Sequence, residues 1–217
     1  MSTQFITASS QYLSTTTPVN QMPLTVACWF YATSQTSATS RVLVDLRDPT
    51  TTNSNIYRLV IPLNTSILRA ATASNSVFAQ ADTASGSILA NTWMHAAGVH
   101  LNLTSRSVYL NGLTKNTNST SLAAPPPIKN LYIGGSFSTS GPLNFFNGFI
   151  AEVGIWNLAL TDQEIISLSK GITPDKIRPQ NLVFYAPLIR DLQDTKGGLT
   201  ITNNNTATVA AHPRIYS

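Results

Sequence analysis

Apolar and polar residues trade places in short runs along most of the chain, and turns rich in Asn, Gly, Ser and Pro separate the runs. Strand-type stretches are predicted at Gln11–Ser14, Leu24–Ala32, Arg41–Leu46, Ile56–Pro62, Ile67–Ala73, Val77–Ala81, Trp93–Leu101, Ser107–Asn111, Leu131–Ile133, Gly148–Trp156 and Leu182–Ala186. They draw on Val, Ile, Tyr, Phe, Trp and Thr, which suit a pleated, half-buried surface. Many short strands at regular spacing argue for an all-β sandwich or barrel. Behind Ser107-Val108-Tyr109-Leu110, the pair Asn111-Gly112 predicts a tight hairpin, because both residues accept the positive φ of a type I′ turn. One short helix is predicted. Thr161-Asp162-Gln163-Glu164 forms a capping box, Ile165, Ile166 and Leu168 follow, and Gly171 ends it. A further turn is expected near Pro174, and Pro125-Pro126-Pro127 reads as a stiff connector.

No internal repeat, heptad pattern, Gly/Ser linker or shift of composition divides the chain, so residues 1–217 read as one domain. The segment 180–217 reads either as a strand that packs back on that domain or as an arm that packs on a neighbour. A chain of 217 residues buries roughly 70% of its unfolded surface and holds a core without disulfides. Its single cysteine, Cys28, lies in the apolar run Val26–Phe30 and is expected to be buried and inert.

Charged residues make up 10% of the chain, against about 25% in an average globular protein. The surface is therefore largely neutral and hydrogen-bonding. The formal charge is +4, but the basic residues are scattered, with only a loose group at Lys170, Lys176 and Arg178. That is not the stripe a nucleic acid requires. Met1–Ile6 has neither the basic nor the apolar region of a secretory signal, and no run of about 18 apolar residues is present. The expectation is synthesis in the cytoplasm and no membrane partner. The sequons at Asn64, Asn102, Asn118 and Asn204 are then chance matches in an Asn/Thr-rich chain.

Candidate chemistry is sparse. A Glu-x-Asp-x-x-Glu pattern, which aims carboxylates at one face of a strand, is absent, and glycoside hydrolysis needs two carboxylates about one bond. Asp45 and Asp48 form the nearest pair, but their odd spacing splits the faces and Pro49 places Asp48 in a turn. His95 and His100 are five apart on one strand and point to opposite faces, so they do not share a metal. His212 stands alone in the tail. Gly134-Gly135 follows a strand without a helix behind it and reads as a turn. Trp29, Trp93 and Trp156 are expected in the core. Tyr12, Tyr57, Tyr109 and Phe137 are the better candidates for exposed stacking.

Three stretches taken in order resemble the laminin-G-like branch of the concanavalin A-like lectin/glucanase superfamily. They are Leu24–Tyr31, then Asn91–Val99 with Val108–Gly112, then Ile133-Gly134-Gly135 with Phe146–Asn157 and Leu160–Ile165. The resemblance covers about residues 5 to 170. It implies a jelly-roll of two antiparallel sheets with about twelve to fourteen strands, by analogy with such sandwiches, and a binding or adhesive module, often for glycans. Some relatives hold Ca²⁺ at the rim through Asp side chains. Ala151 occupies the place before Glu152 where that family commonly carries Asp, and a hard cation wants several oxygen ligands. No catalytic, cofactor or metal residue is therefore assigned, and the ligand-binding residues are left open.

The tail, with Leu182–Leu188, Asp194, Gly197–Thr200 and His212-Pro213, is similar to a segment of laminin-G-like proteins encoded by tailed bacteriophages. Taken together, these features lead to an expected non-enzymatic virion surface protein of the capsid decoration type. Its expected partners are the major capsid protein or another virion protein and a cell-surface glycan, and its expected state is a homotrimer. A free lectin or adhesin and a phage tail or receptor-binding component are the alternatives.

Overall fold

The computed structural model describes residues 2–51, 55–189, 191–210 and 212. In chain order its strands are β1 (Ser2–Phe5), β2 (Tyr12–Thr16), β3 (Leu24–Ala32), β4 (Arg41–Arg47), β5 (Ile56–Ile61), β6 (Arg69–Ser74), β7 (Val77–Asp82), β8 (Trp93–Asn102) and β9 (Ser105–Leu110). There follow β10 (Thr114–Asn118), β11 (Asn130–Ile133), β12 (Ser136–Ser138), β13 (Gly141–Leu143), β14 (Gly148–Trp156), β15 (Leu182–Ala186), β16 (Thr202–Asn204) and β17 (Thr208–Ala210). One helix, α1, spans Asp162–Ser169.

Two antiparallel sheets face each other. The eight-stranded sheet runs β10-β9-β8-β3-β14-β1-β17, with β15 also pairing β14, and the seven-stranded sheet runs β16-β2-β11-β4-β5-β6-β7. A small β12–β13 hairpin stands apart from both. This is the expected jelly-roll sandwich. Its 17 strands among the described residues exceed the twelve to fourteen anticipated. The excess lies in three- to five-residue pieces at sheet edges and in the β12–β13 hairpin, too short to show a two-residue alternation.

Alternation decides which side chains meet between the sheets. Leu13, Leu46, Leu59, Leu131 and Ile133 from the seven-stranded sheet join Leu24, Val26, Phe30, Ile150 and Phe184 from the other, all at 1% exposure or less. Each such side chain contributes about 2 kcal/mol by leaving water. Cys28 belongs to this core, and burial pushes its thiol pKa far upward. A second, smaller core lies on the other side of the eight-stranded sheet. There Ile165 and Leu168 of α1 cover Ala97, Val99, Tyr109 and Trp156. The Trp156 Nε1–H donates to the Ile177 carbonyl at 2.7 Å.

Local signals formed as expected. Leu113 N–H donates to Leu110 C=O across Asn111 (φ 53°) and Gly112 (φ 70°), a type I′ turn. Both halves of the Thr161/Glu164 capping box are present. Gly171, at φ 97°, donates to Leu168 while Ile172 donates to Ser167, the paired bonds of a Schellman stop. The turn near Pro174 is a single 3-10 turn, Pro174–Lys176.

The C-terminal segment pairs within its own chain. β15 lies beside β14, β16 beside β2, and β17 beside β1. Asp194 organises the link between β15 and β16 by accepting the N–H groups of Tyr185, Lys196, Gly197 and Leu199.

Candidate functional site

The outer face of the seven-stranded sheet gathers polar and aromatic side chains in register. Inward Leu46, Tyr57, Leu59 and Leu131 leave Asp45, Arg47, Arg58 and Tyr132 pointing outward. Register aligns Tyr132, Asp45, Arg58, Ala71 and Gln80 in one row across five strands. The neighbouring row holds Arg47, Ile56, Ala73 and Phe78. Two short alanines leave room for the longer side chains around them.

Charges on this face are unevenly matched. Arg69 holds Asp82 through two bonds of 2.7 and 2.6 Å. Ser136, from the β12–β13 hairpin, donates to Asp45 at 2.5 Å and accepts from Arg47 at 2.8 Å, with Arg47 itself 3.6 Å from Asp45. Arg58 has no hydrogen bond or ion pair among the described residues. Its Nε is buried without a partner, and its guanidinium lies 5.9 Å from the centre of the Phe78 ring, a cation–π contact. Burial lowers its pKa most, Asp45 opposes that, and the repulsion of Arg47 and Arg69 adds to it. Phe78 is 39% exposed. Tyr132 stacks on Phe137 at 5.7 Å and 15°, and burial pushes its hydroxyl up to about 12.

The remaining sequence candidates fall elsewhere. Asp45 and Asp48 do not meet as a catalytic pair: Asp45 is locked as described, and Asp48 accepts from the Thr50 N–H and hydroxyl and from Lys129. His95 packs edge-on to Trp29 on the outer side of the eight-stranded sheet, and His100 meets Thr72 and Tyr57 between the sheets. Burial drives both down to about 3, with Arg106 adding to the effect on His100. His212 reaches Glu152 Oε1 at 3.1 Å, and the Tyr185 hydroxyl donates to Oε2 at 2.5 Å. Glu152, at φ 55° in a bulge of β14, is thereby a buried structural anchor. Among the described residues no group of three or more His, Cys, Asp or Glu side chains converges as a metal would require.

Two expectations about aromatics are corrected. Trp156 is core, but Trp29 and Trp93 are only partly buried. They lie on the outer face of the eight-stranded sheet, where Trp93 joins Tyr31 and Phe149 at centroid distances of 5.2 to 6.3 Å. Strand β3 is apolar on both faces, so the run itself did not reveal which side was covered. Conversely Tyr12, Tyr57 and Tyr109 are buried, at 8%, 1% and 3% exposure. The Tyr57 and Tyr109 rings serve the two cores, Tyr12 packs against Tyr132, Phe137 and Phe145 on the outer face of the seven-stranded sheet, and of the four stacking candidates only Phe137 retains appreciable surface.

Two open clefts offer less chemistry. One of about 420 Å³ is lined by Thr7, Thr33, Ser37, Arg41 and Asn147, but its guanidinium is given to the Ser34 and Gln35 carbonyls. The other, about 380 Å³, is bounded by Met22, Pro23, Tyr57, Leu101 and Leu103 and holds no charge.

The model of the concanavalin A-like lectin/glucanase superfamily, laminin-G-like group, matches residues 7–166. The chain belongs to this superfamily. The lectin-like sandwich matches solved structures at low identity, which shows shared fold alone. The carbohydrate-binding module CBM40 of the Ruminococcus gnavus IT-sialidase superposes with TM-score 0.62 at 14% identity, over 78% of this chain and 97% of that one. A heptameric SAP-like pentraxin of Limulus polyphemus gives 0.61 at 14%, over 91% and 87%. A proposed carbohydrate-binding protein of Bacteroides ovatus gives 0.64 at 15%, over 96% of this superfamily member and 61% of its own length. Comparison with curated proteins finds no match.

Proposed function

We propose that the chain is a non-catalytic carbohydrate-binding module whose ligand lies on the outer face of the seven-stranded sheet. The observation that carries this reading is Arg58, a guanidinium in no ion pair among the described residues, set beside the exposed ring of Phe78 and in line with Gln80. Sugars are held by such a mixture: planar donors for hydroxyl and acid groups, and a ring for the apolar C–H face. The neighbouring carboxylates support binding over turnover, since Asp45 is buried against Ser136 and Asp82 is spent on Arg69. Solved relatives described as carbohydrate-binding share the sandwich and lend further support. A glycan array with wild type and Phe78→Ala tests the reading. A set of bound glycans that the substitution weakens at least fivefold is expected. A blank array, or equal binding by the variant, overturns it.

Display of this module on a virion surface, as a trimeric decoration protein beside a capsid protein, is the setting we propose from the likeness of the tail to phage-encoded proteins. Its absence from washed particles overturns that setting without touching the glycan reading.

A further inference from the structure

The charge balance of the proposed face narrows the ligand. Three guanidinium groups, Arg47, Arg58 and Arg69, share the face with two carboxylates, Asp45 and Asp82. Asp82 is engaged bidentately with Arg69, and Asp45 through its Oδ2 with Ser136 and Arg47, its Oδ1 being buried without a hydrogen bond. One positive charge is left over, and it sits on Arg58. Arginine stays protonated in proteins, so the charge is not removed by losing a proton. Leaving a charged donor partly desolvated is unfavourable, and a planar fork of N–H groups is best matched by a carboxylate that accepts two parallel bonds. A neutral sugar would leave the excess charge unmatched. A monoanion cancels it.

Resting on the glycan-binding reading above, we propose that the face selects a carboxylate-bearing sugar, the acid group docking on Arg58 and the sugar ring lying toward Phe78. Two sources supply this chemistry, a sialic acid and a uronic acid. The position of Arg58 in mid-sheet, with β4 and β11 on one side and β6 and β7 on the other, gives the acid a fixed place and not a mobile surface contact.

Isothermal titration of the full chain at low salt tests this with four probes: 3′-sialyllactose, its methyl ester, tetragalacturonate, and its methyl ester. Each ester keeps the sugar and removes the charge. In at least one pair the acid is expected to bind tenfold or more tighter than its ester, and the favoured pair identifies the source. Arg58→Gln is expected to reduce that ratio to within about twofold while leaving the unfolding midpoint in place, because Arg58 makes no hydrogen bond among the described residues that folding would lose. Arg58→Lys should keep part of the preference through its charge. Raising the salt from 50 to 300 mM should weaken the acid and spare the ester. Equal binding of acid and ester in both pairs overturns the acid selectivity and leaves the glycan reading standing. A preserved ratio in Arg58→Gln overturns the assignment to this residue. No binding of any probe, together with a blank neutral array, overturns both.

Discussion

Lowering the pH from 8 to 5 should destabilise the fold by about 4 kcal/mol, through two buried histidines. His95 and His100 are 2% and 0% exposed, and burial holds both at about 3. In the unfolded chain each returns to about 6.5. The folded value is the lower one, so the unfolded chain binds more protons in this window, and stability falls as pH falls from about 6.5 toward 3. At pH 5 each unfolded imidazole is almost fully protonated and each folded one is neutral, which costs about 2 kcal/mol per histidine. Carboxylates held low by partners, such as Asp162 beside Lys115 and Tyr109, lose their contribution only near pH 4 and below. The interval from 8 to 5 therefore excludes those carboxylates, and a His212→Gln background removes the third imidazole, which meets Glu152. Urea unfolding followed by tryptophan fluorescence at the two pH values measures the difference. His100→Gln removes one of the two groups and should cut the loss to about 2 kcal/mol. A change below about 1 kcal/mol in the wild type would refute the reasoning, because an imidazole that accepts a proton in place cannot be walled from water as described.

Other outcomes follow from single contacts. Gly148→Ala places a Cβ 1.9 Å from the Tyr31 carbonyl oxygen at φ 145°, so a loss of about 3 kcal/mol is expected in the same urea assay. Asp194→Ala strips four backbone N–H groups of their acceptor and should cost about 2–4 kcal/mol, with faster hydrogen exchange confined to residues 185–199. Thr161→Ala removes the hydroxyl of the capping box and should cost about 1 kcal/mol. Cys28, buried with a raised pKa, should react with a thiol reagent only at the rate of global unfolding, which urea titration of the labelling rate checks.

Much of the architecture was legible because its signals are local. Asn111-Gly112 specifies its turn through backbone tolerance, and Thr161 to Gly171 marks both ends of a helix within eleven residues. Edge strands β16 and β17, three residues each, carry no period to read and are defined by the partners β2 and β1. Nor was the candidate site legible. Arg58 is one of several scattered basic residues in sequence, and its isolation depends on what β4, β7 and the β12–β13 hairpin do with the carboxylates around it. Trp29 and Trp93 show the same dependence. A strand apolar on both faces gives the alternation without saying which side the helix α1 will cover.

Ser2 pairs with Ala210, and Tyr12 with Asn204. Both sheets are thus bordered by segments from opposite ends of the described chain. Such contacts close loops of nearly the whole length, which makes folding slow relative to helical domains of the same size. On a ribosome, β1 and β2 emerge long before β17 and β16, and their outer edges stay unpaired until those strands arrive. Until then the nascent chain carries two adhesive borders, and the nine residues from Thr202 to Ala210 close both.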